Sequence, residues 1–152
     1  MMPKLFCPVS AVEETLAHLR AGGLKNCETM VLWLGNARSG IAEIREVYRP
    51  TQTVAVDFFR ITPESMRAIM GRIKETRFQI LAQVHSHPRE AFHSTADDTW
   101  AVVRHVGAVS IVIPYFAKDT IAANFGKQSA TFQLNASNRW AEVEFTDVVE
   151  IK

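Results

Sequence analysis

Two histidines stand two residues apart in the stretch QVHSHPRE, at the end of an apolar run. In an extended backbone, residues i and i+2 point to the same face, so the side chains of His85 and His87 can converge on one ion. Pro88 has no N–H for a sheet ladder and is expected to end the strand. A catalytic zinc site needs three protein ligands and one open position for water. The spacing therefore predicts two of the three ligands of a metal site.

A pair of acids, Asp97 and Asp98, begins ten residues after His87, at the start of a predicted helix. Successive helical residues are about 100° apart, so only one of the two carboxylates can face the strand end. Ser94 followed by Asp97 has the spacing of a capping pair, which gives Asp97 a structural task at the helix start. We therefore assign Asp98 as the third ligand, although an acid at a helix N-terminus can also serve the helix dipole alone.

The remaining histidines lack such neighbours. We interpret His93 as a solvent-exposed loop residue, with substrate contact as the alternative. His105 falls late in the predicted helix, where a cation suits the helix dipole. His18 is not assigned a role. These three are therefore not counted among the metal ligands.

Apolar runs and capping residues predict the elements that must position this site. Ser10 and Thr62 are expected to cap two helices, the second with Pro63 in its first turn. Alternating strands and helices of this length are typical of an α/β or α+β domain with a central mixed sheet and about three helices. Helices are predicted over 10–21, 63–77 and 97–107, and strands over 29–35, 41–49, 53–59, 78–85, 108–114, 120–125, 130–135 and 141–145.

Composition narrows the class of protein. The chain has 152 residues, 47% of them hydrophobic, which suits one domain over 1–152 with a real core. The net charge of +1 is not the strongly positive charge that is typical of nucleic-acid-binding proteins. No apolar run reaches the length of a membrane span. The N-terminus lacks the apolar region of a signal peptide. Two cysteines without C-x-x-C spacing predict reduced thiols, and we expect a cytoplasmic protein.

The stretch HSHPREAFHSTADD resembles the JAMM motif of the MPN (JAB) metalloprotease family, which reads H-x-H-P, six residues, Ser, two residues, Asp. The H-x-H-P part matches in full. Counting six residues on places Thr95 at the family's serine and Asp98 at its aspartate. A register one residue shorter would use Ser94 and Asp97, keeping the serine but shortening the ligand spacing. The longer register agrees with the capping argument and is preferred.

The family also has an upstream glutamate in the pattern E-x-x-G-x-L-x-G, to which ETMVLWLG is similar. Glu28 lies seven residues before Gly35, as in the pattern, while Val31 replaces the first glycine. Only Glu28 directly precedes a strand that looks buried. Its rivals lie on faces that look solvated: Glu13, Glu14, Glu43 and Glu46.

The resemblance implies a zinc-dependent isopeptidase of the stand-alone prokaryotic type. Zinc would bring the pKa of bound water to about 7 and polarise the scissile carbonyl. Glu28 would carry the proton from water to the leaving amine, and the Thr95 hydroxyl would stabilise the oxyanion. The implied partners are ubiquitin-like proteins or their conjugates, cut after a terminal glycine, and the enzymes of ubiquitin-like conjugation. An extended tail is expected to bind as an added strand beside the metal.

A second interpretation keeps the fold but not the activity. A binding or scaffold module with a structural metal is supported by the departures at Thr95 and Val31. A nucleobase deaminase is excluded, because the chain lacks the P-C-x-x-C cysteine pair of that class. Metal-dependent cleavage of an extended ubiquitin-like protein separates the enzyme from the scaffold.

Overall fold

The computed structural model of the chain describes residues 3–54, 59–93, 97 and 101–152. Its strands are β1 (Leu5–Cys7), β2 (Met30–Arg38), β3 (Ile41–Tyr48), β4 (Gln52–Val54), β5 (Phe59–Ile61), β6 (Gln79–Ser86), β7 (Val109–Ile113), β8 (Ala130–Leu134), β9 (Trp140–Val143) and β10 (Val149–Ile151). Its helices are α1 (Val9–Leu24), α2 (Pro63–Thr76), α3 (Phe125–Gln128) and α4 (Phe145–Val148). Two 3-10 turns cover Tyr115–Ala117 and Ala122–Asn124.

Eight strands form one mixed sheet in the order β10-β1-β3-β2-β6-β7-β8-β9, and β4 and β5 form a separate hairpin. The pairs β1–β10, β1–β3 and β6–β7 are parallel, and the other pairs of the large sheet are antiparallel. The predicted α+β class with a central mixed sheet is therefore confirmed. None of the helices in the described ranges is long and apolar enough to cross a membrane.

One face of the sheet is covered by α1. Leu16 and Leu19 of this helix are buried against a cluster that includes Trp33 of β2 and Phe125 of α3. The Trp33 ring stacks on Phe125 at 6.0 Å between centroids, and its Nε1–H donates to Thr15 Oγ1 at 2.9 Å. A buried indole N–H needs such a partner, because leaving it unsatisfied costs about 1–3 kcal/mol. This core holds β2, the strand that leads out of the candidate site, flat against α1.

The opposite face of β2 packs under α2. Side chains alternate between faces along a strand, so Met30, Leu32 and Leu34 all point away from α1. They form a second buried cluster with Ile69 of α2. The two clusters enclose β2 on both sides, which explains why its sequence reads as an almost continuous apolar run.

Several predicted elements differ from the structure. The predicted strand over 53–59 is wrong as one element, because its described ends belong to two strands that pair with each other, β4 and β5. The predicted strand over 120–125 is a turn instead, since Asn124 Oδ1 accepts the N–H of Ile121 and closes it. Residues 101–107 are not helical, so the last part of the helix predicted over 97–107 is wrong. The short strands β1 and β10 were not predicted, because three residues show no period.

The two predicted caps have different outcomes. Thr62 caps α2 as predicted, since its Oγ1 accepts the N–H of Ser65 at 3.1 Å and Pro63 follows it. The predicted cap at Ser10 is wrong: α1 begins earlier, its N-cap residue is Pro8, and no side chain caps it. The chain turns from β1 directly into α1, which leaves Ser10 exposed in the first turn.

The caps therefore predict unequal effects of two small substitutions. Thr62→Ala should lower the free energy of unfolding by about 1 kcal/mol, because one orphan N–H at the start of α2 loses its acceptor. Ser10→Ala is the matched control and should change it by less than about 0.5 kcal/mol. Urea denaturation of both variants measures the difference. Equal losses would contradict the assignment of the caps.

Candidate metal centre

Strand pairing between β2 and β6 brings the sequence motif to one place. Met30 of β2 lies opposite His85 of β6 in an antiparallel register. Just beyond, the Thr29 N–H donates to Ser86 Oγ and the Ser86 N–H donates to the Thr29 carbonyl, both at 3.0 Å. Side chains alternate along the strand, so His85 and His87 share the face that lies away from α1. The two imidazoles are neighbours, with ring centroids 5.2 Å apart.

A carboxylate meets both imidazoles. Asp97 Oδ1 lies 3.1 Å from His85 Nε2, and Asp97 Oδ2 lies 3.2 Å from His87 Nε2. All three residues are buried, and one donor atom from each lies within 4.8 Å of the others. Bonds of about 2.0–2.2 Å in a tetrahedral zinc site separate its donor atoms by roughly 3.3 Å. Two imidazole nitrogens and a carboxylate at these distances fit a divalent transition metal.

The structure departs from the interpretation of Asp97 as a residue with only a capping task. Its backbone is helical, as predicted, but its carboxylate faces the two histidines. Asp98 and Thr95 lie outside the described residues, so their roles as ligand and oxyanion donor stay predictions. Among the described residues, Asp97 therefore occupies the position beside the histidines that the sequence analysis assigned to Asp98.

Glu28 lies at the same end of the sheet. It precedes β2 by two residues and is 3% exposed. Burial alone lowers the pKa of His87, but a hydrogen bond to Asp97 and the charges of Glu28 and Asp97 outweigh it and raise the pKa. Glu28 is therefore near enough to His87 for its charge to act there. Two carboxylates beside the imidazoles give the site a negative field, which suits a cation.

The rival glutamates lie elsewhere. Glu46 pairs with Leu34 in the β2–β3 register, four residues along β2 from Met30, or about 13 Å at the rise of a strand. The Glu46 carboxylate forms an ion pair with Arg72 at 3.0 Å, and the Glu43 carboxylate forms one with Arg45 at 2.9 Å. Glu13 and Glu14 are exposed on α1. Among the predicted candidates, Glu28 alone is placed by the register at the histidines.

A side chain of the hairpin fixes the start of β2. Gln52 of β4 accepts the Met30 N–H at 2.7 Å and donates to the Met30 carbonyl at 2.9 Å. The Gln52 side chain therefore satisfies the Met30 backbone groups as a neighbouring strand would. Strand β3 cannot do so, because its pairing with β2 ends at Leu32. Because Met30 is two residues from Glu28, this contact restrains the backbone that carries the glutamate.

The segment after β7 fixes the end of β6. Pro88 ends the strand as predicted, and β7 continues into the turn Tyr115–Ala117. The N–H of Phe116 donates to the His87 carbonyl at 2.8 Å, and the N–H of Tyr115 donates to the Arg89 carbonyl at 2.9 Å. These hydrogen bonds thus hold the backbone on both sides of Pro88, beyond the end of the β6–β7 pairing.

The other histidines differ from their interpretation. His93 is half-buried, not a freely exposed loop residue: its ring lies 4.9 Å from that of Phe132 and 6.4 Å from that of His85. His105 does not lie in a helix, and burial lowers its pKa. His18 lies on α1, 3.8 Å from Glu14. Of these three histidines, His93 is the one that lies close to His85, which the interpretation as a solvent-exposed loop residue did not anticipate.

Comparison with known proteins agrees with the site. No family model matches the chain. The chain is 33% identical over 140 residues to "Probable metalloprotease y4jG" of Sinorhizobium fredii (strain NBRC 101917 / NGR234), covering 90% of this chain and 85% of that protein. The chain belongs to the family of this probable metalloprotease.

A solved structure agrees with the fold. The solution structure of protein DSY2949 from Desulfitobacterium hafniense matches 97% of this chain and 92% of its own, with a TM-score of 0.70. Its sequence identity is 18%, so the likeness concerns the fold alone. The mixed sheet and its helices therefore recur in a protein of distant sequence.

The geometry predicts which acid holds the metal. Asp97→Ala should reduce the zinc bound per chain by at least tenfold, because the carboxylate between His85 and His87 is lost. Asp98→Ala is the control, with the same side chain removed one position away. Elemental analysis after purification in defined zinc measures both. A greater loss in Asp98→Ala would restore the register preferred from the sequence.

Proposed function

We propose that the protein is a zinc-dependent peptidase or isopeptidase that cuts after the C-terminal glycine of a ubiquitin-like protein. The observation that carries the metal-dependent part is the buried group of His85, His87 and Asp97, with Glu28 beside it. Kinship with a probable metalloprotease supports hydrolysis of a peptide-type bond. The ubiquitin-like substrate rests on the resemblance of the H-x-H-P stretch and the upstream glutamate to the JAMM motif.

The donor set points to the chemistry. His85, His87 and Asp97 would hold the ion and leave one position for water and substrate. A bound zinc ion supplies acidification of water to a pKa of about 7 and polarisation of the carbonyl. With Asp97 as ligand, the shorter register applies and Ser94 matches the family's serine, whereas Asp98 as ligand would put Thr95 at that position. In either register the matched residue carries a hydroxyl, which would stabilise the developing oxyanion.

Glu28 is the proposed general base and acid. It would take the proton of the attacking water and deliver it to the leaving amine. Its burial and its position beside His87 support this assignment, because a buried carboxylate next to a metal-bound water is placed to exchange a proton with it. The two hydrogen bonds between Gln52 and the Met30 backbone would keep the Glu28 carboxylate in place through the reaction.

Replacement of the base separates chemistry from binding. Glu28→Gln should lower kcat by about 10²–10⁴, because the amide cannot carry the proton. Zinc content and thermal stability should stay close to those of the unmodified protein. Glu43→Gln is the control, since this glutamate was a rival in the sequence but is paired with Arg45. A Glu28→Gln protein with normal turnover would remove Glu28 from the mechanism.

The strand order of the sheet bears on where an extended substrate tail could bind. Strand β6, which carries His85 and leads directly into His87, is flanked by β2 and β7, so an added strand cannot pair with it. The β4–β5 hairpin, bound to the start of β2 through Gln52, offers a strand edge beside the site. We propose that the extended tail lies along this hairpin and gains main-chain hydrogen bonds there.

Glycine selectivity tests the substrate. We expect extended ubiquitin-like proteins to be cut after a Gly-Gly tail, and the rate to fall when the penultimate glycine becomes Ala or Val, because a side chain would keep the backbone from the metal. Mass spectrometry of the products over time measures the rates, with chelator-treated protein as the control. Equal rates for Gly, Ala and Val would reject a narrow site. Zinc-loaded protein that cuts none of them would favour the scaffold with a structural metal.

A further inference from the structure

Two buried polar residues lie side by side in the sheet next to the candidate site. Gln83 of β6 and Ser110 of β7 are partners in the parallel β6–β7 register, and both are fully buried. Gln83 precedes His85 by two residues, so both side chains point to the same face. Their chain neighbours on these strands are apolar core residues: Ala82, Val84, Val109 and Ile111. An amide and a hydroxyl at such positions are costly to bury without hydrogen-bond partners.

Their partners come from the segment that carries Asp97. Gln83 Oε1 accepts the N–H of Val102 at 2.9 Å, and Gln83 Nε2 donates to Ser110 Oγ at 3.2 Å. The backbone N–H can only donate, so it settles which end of the amide faces which partner. Ser110 Oγ in turn shares a hydrogen bond of 3.2 Å with His93 Nε2. One continuous network therefore joins His93, Ser110, Gln83 and Val102.

The orientation of His93 is fixed by packing as well. Its ring contacts the rings of Phe132 and Trp140, with centroids at 4.9 and 5.3 Å. Ser110 Oγ can donate its proton to His93 Nε2 or accept one from it, and the hydrogen bond is kept in either arrangement. His93 is thus held by both a hydrogen bond and two aromatic contacts.

Asp97 lies between the two points of attachment. His93 comes four residues before it and Val102 five residues after it. At about 3.6 Å per residue, the chain can carry Asp97 no more than roughly 14 Å from His93 and 18 Å from Val102. Both attachments lead to the same pair of sheet residues, and that pair adjoins His85. The chain on both sides of Asp97 is therefore attached to residues next to His85, which limits how far Asp97 can lie from the histidines.

We propose that Gln83, Ser110 and His93 are positioning residues that hold the Asp97 carboxylate against His85 and His87 for metal binding. We call these three residues the clasp. The inference rests on the proposed metal site and adds the residues that preorganise it. Loss of groups that orient metal ligands from outside the coordination shell commonly weakens binding by 10–100-fold, and the clasp acts through the backbone, so we expect the lower end of that range.

Zinc affinity tests the clasp. Ser110→Ala and His93→Ala should each raise the zinc dissociation constant about tenfold in competition with a chromophoric chelator. His93→Gln should recover most of the affinity, because its terminal amide can reach Ser110 Oγ. The visible spectrum of cobalt-loaded protein should change in Ser110→Ala and His93→Ala, since the carboxylate no longer holds one place.

A matched variant separates positioning from general stability. Thr131 is buried in β8 and shares a hydroxyl hydrogen bond of 3.0 Å with Ser129. Thr131→Val removes a buried hydroxyl from the face of the sheet opposite Ser110, because Thr131 pairs with Ile111 and Ser110 with Phe132. It should lower the Tm of the metal-free protein as Ser110→Ala does, yet leave zinc affinity within twofold of the unmodified protein.

The outcomes distinguish the clasp from the proposed function. An unmodified protein that binds no zinc overturns both. Zinc binding that is normal in the unmodified protein and unchanged in folded Ser110→Ala and His93→Ala overturns the clasp alone. Should Ser110→Ala fail to fold, His93→Ala against His93→Gln decides the question, because His93 is only half-buried. Tenfold weakening that His93→Gln reverses supports the clasp.

Discussion

The antiparallel register between β2 and β6 is the constraint on which the site depends. Met30 opposite His85 and the paired hydrogen bonds of Thr29 with Ser86 fix this register at the end of the ladder. A slip of one residue would turn both histidines into the core under α1. Apolar packing of β6 under α1 makes that slip costly, because Ala82 and Val84 would have to leave the core there. Hydrophobic packing in the middle of the sheet thus sets the geometry of the polar groups at its end.

The buried charges at this end oppose stability. Each ionised group removed from water costs several kcal/mol before its partners compensate, and well-packed apolar residues often serve stability better. Glu28 and Asp97 nevertheless lie in one buried region, and their charges raise the pKa of His87. A structural ion pair would need one imidazole and one carboxylate. Two of each, with three donors close together, are better explained by a cation that balances both acids.

Sequence periodicity could predict the strands that hold the histidines. It could not predict which residue of the later segment, Asp97 or Asp98, faces them. The H-x-H spacing depends only on the two-residue repeat of a strand, so His85 and His87 were placed correctly relative to each other. The choice between Asp97 and Asp98 depends on how the chain leaves Pro88 and where the next helix starts, and no local pattern fixes that. His93 was misjudged for the same reason, since its contacts with Ser110 and Phe132 are made across the sheet. Gln83 could have been suspected, because it is a polar residue inside an apolar run and shares a face with His85.

The turn Tyr115–Ala117 shows how the far face of the sheet contributes to the site. All three residues have positive φ, a conformation that costs about 1–3 kcal/mol for each residue other than glycine unless the surroundings impose it. Helix α1 imposes it: Arg20 donates to the carbonyls of Ala117 and Thr120, and Gly23 leaves room for Phe116, since a Cβ there would collide with it.

In return, the N–H of Phe116 is presented to the carbonyl of His87. Contacts with α1 thus offset the strain of the turn. The strained turn in its place holds His87, the last residue of the H-x-H pair, through this hydrogen bond. A change at Gly23 would therefore be transmitted to His87, because both residues contact Phe116. The position of the second histidine is accordingly a property of the whole fold, and the H-x-H-P stretch alone does not determine it.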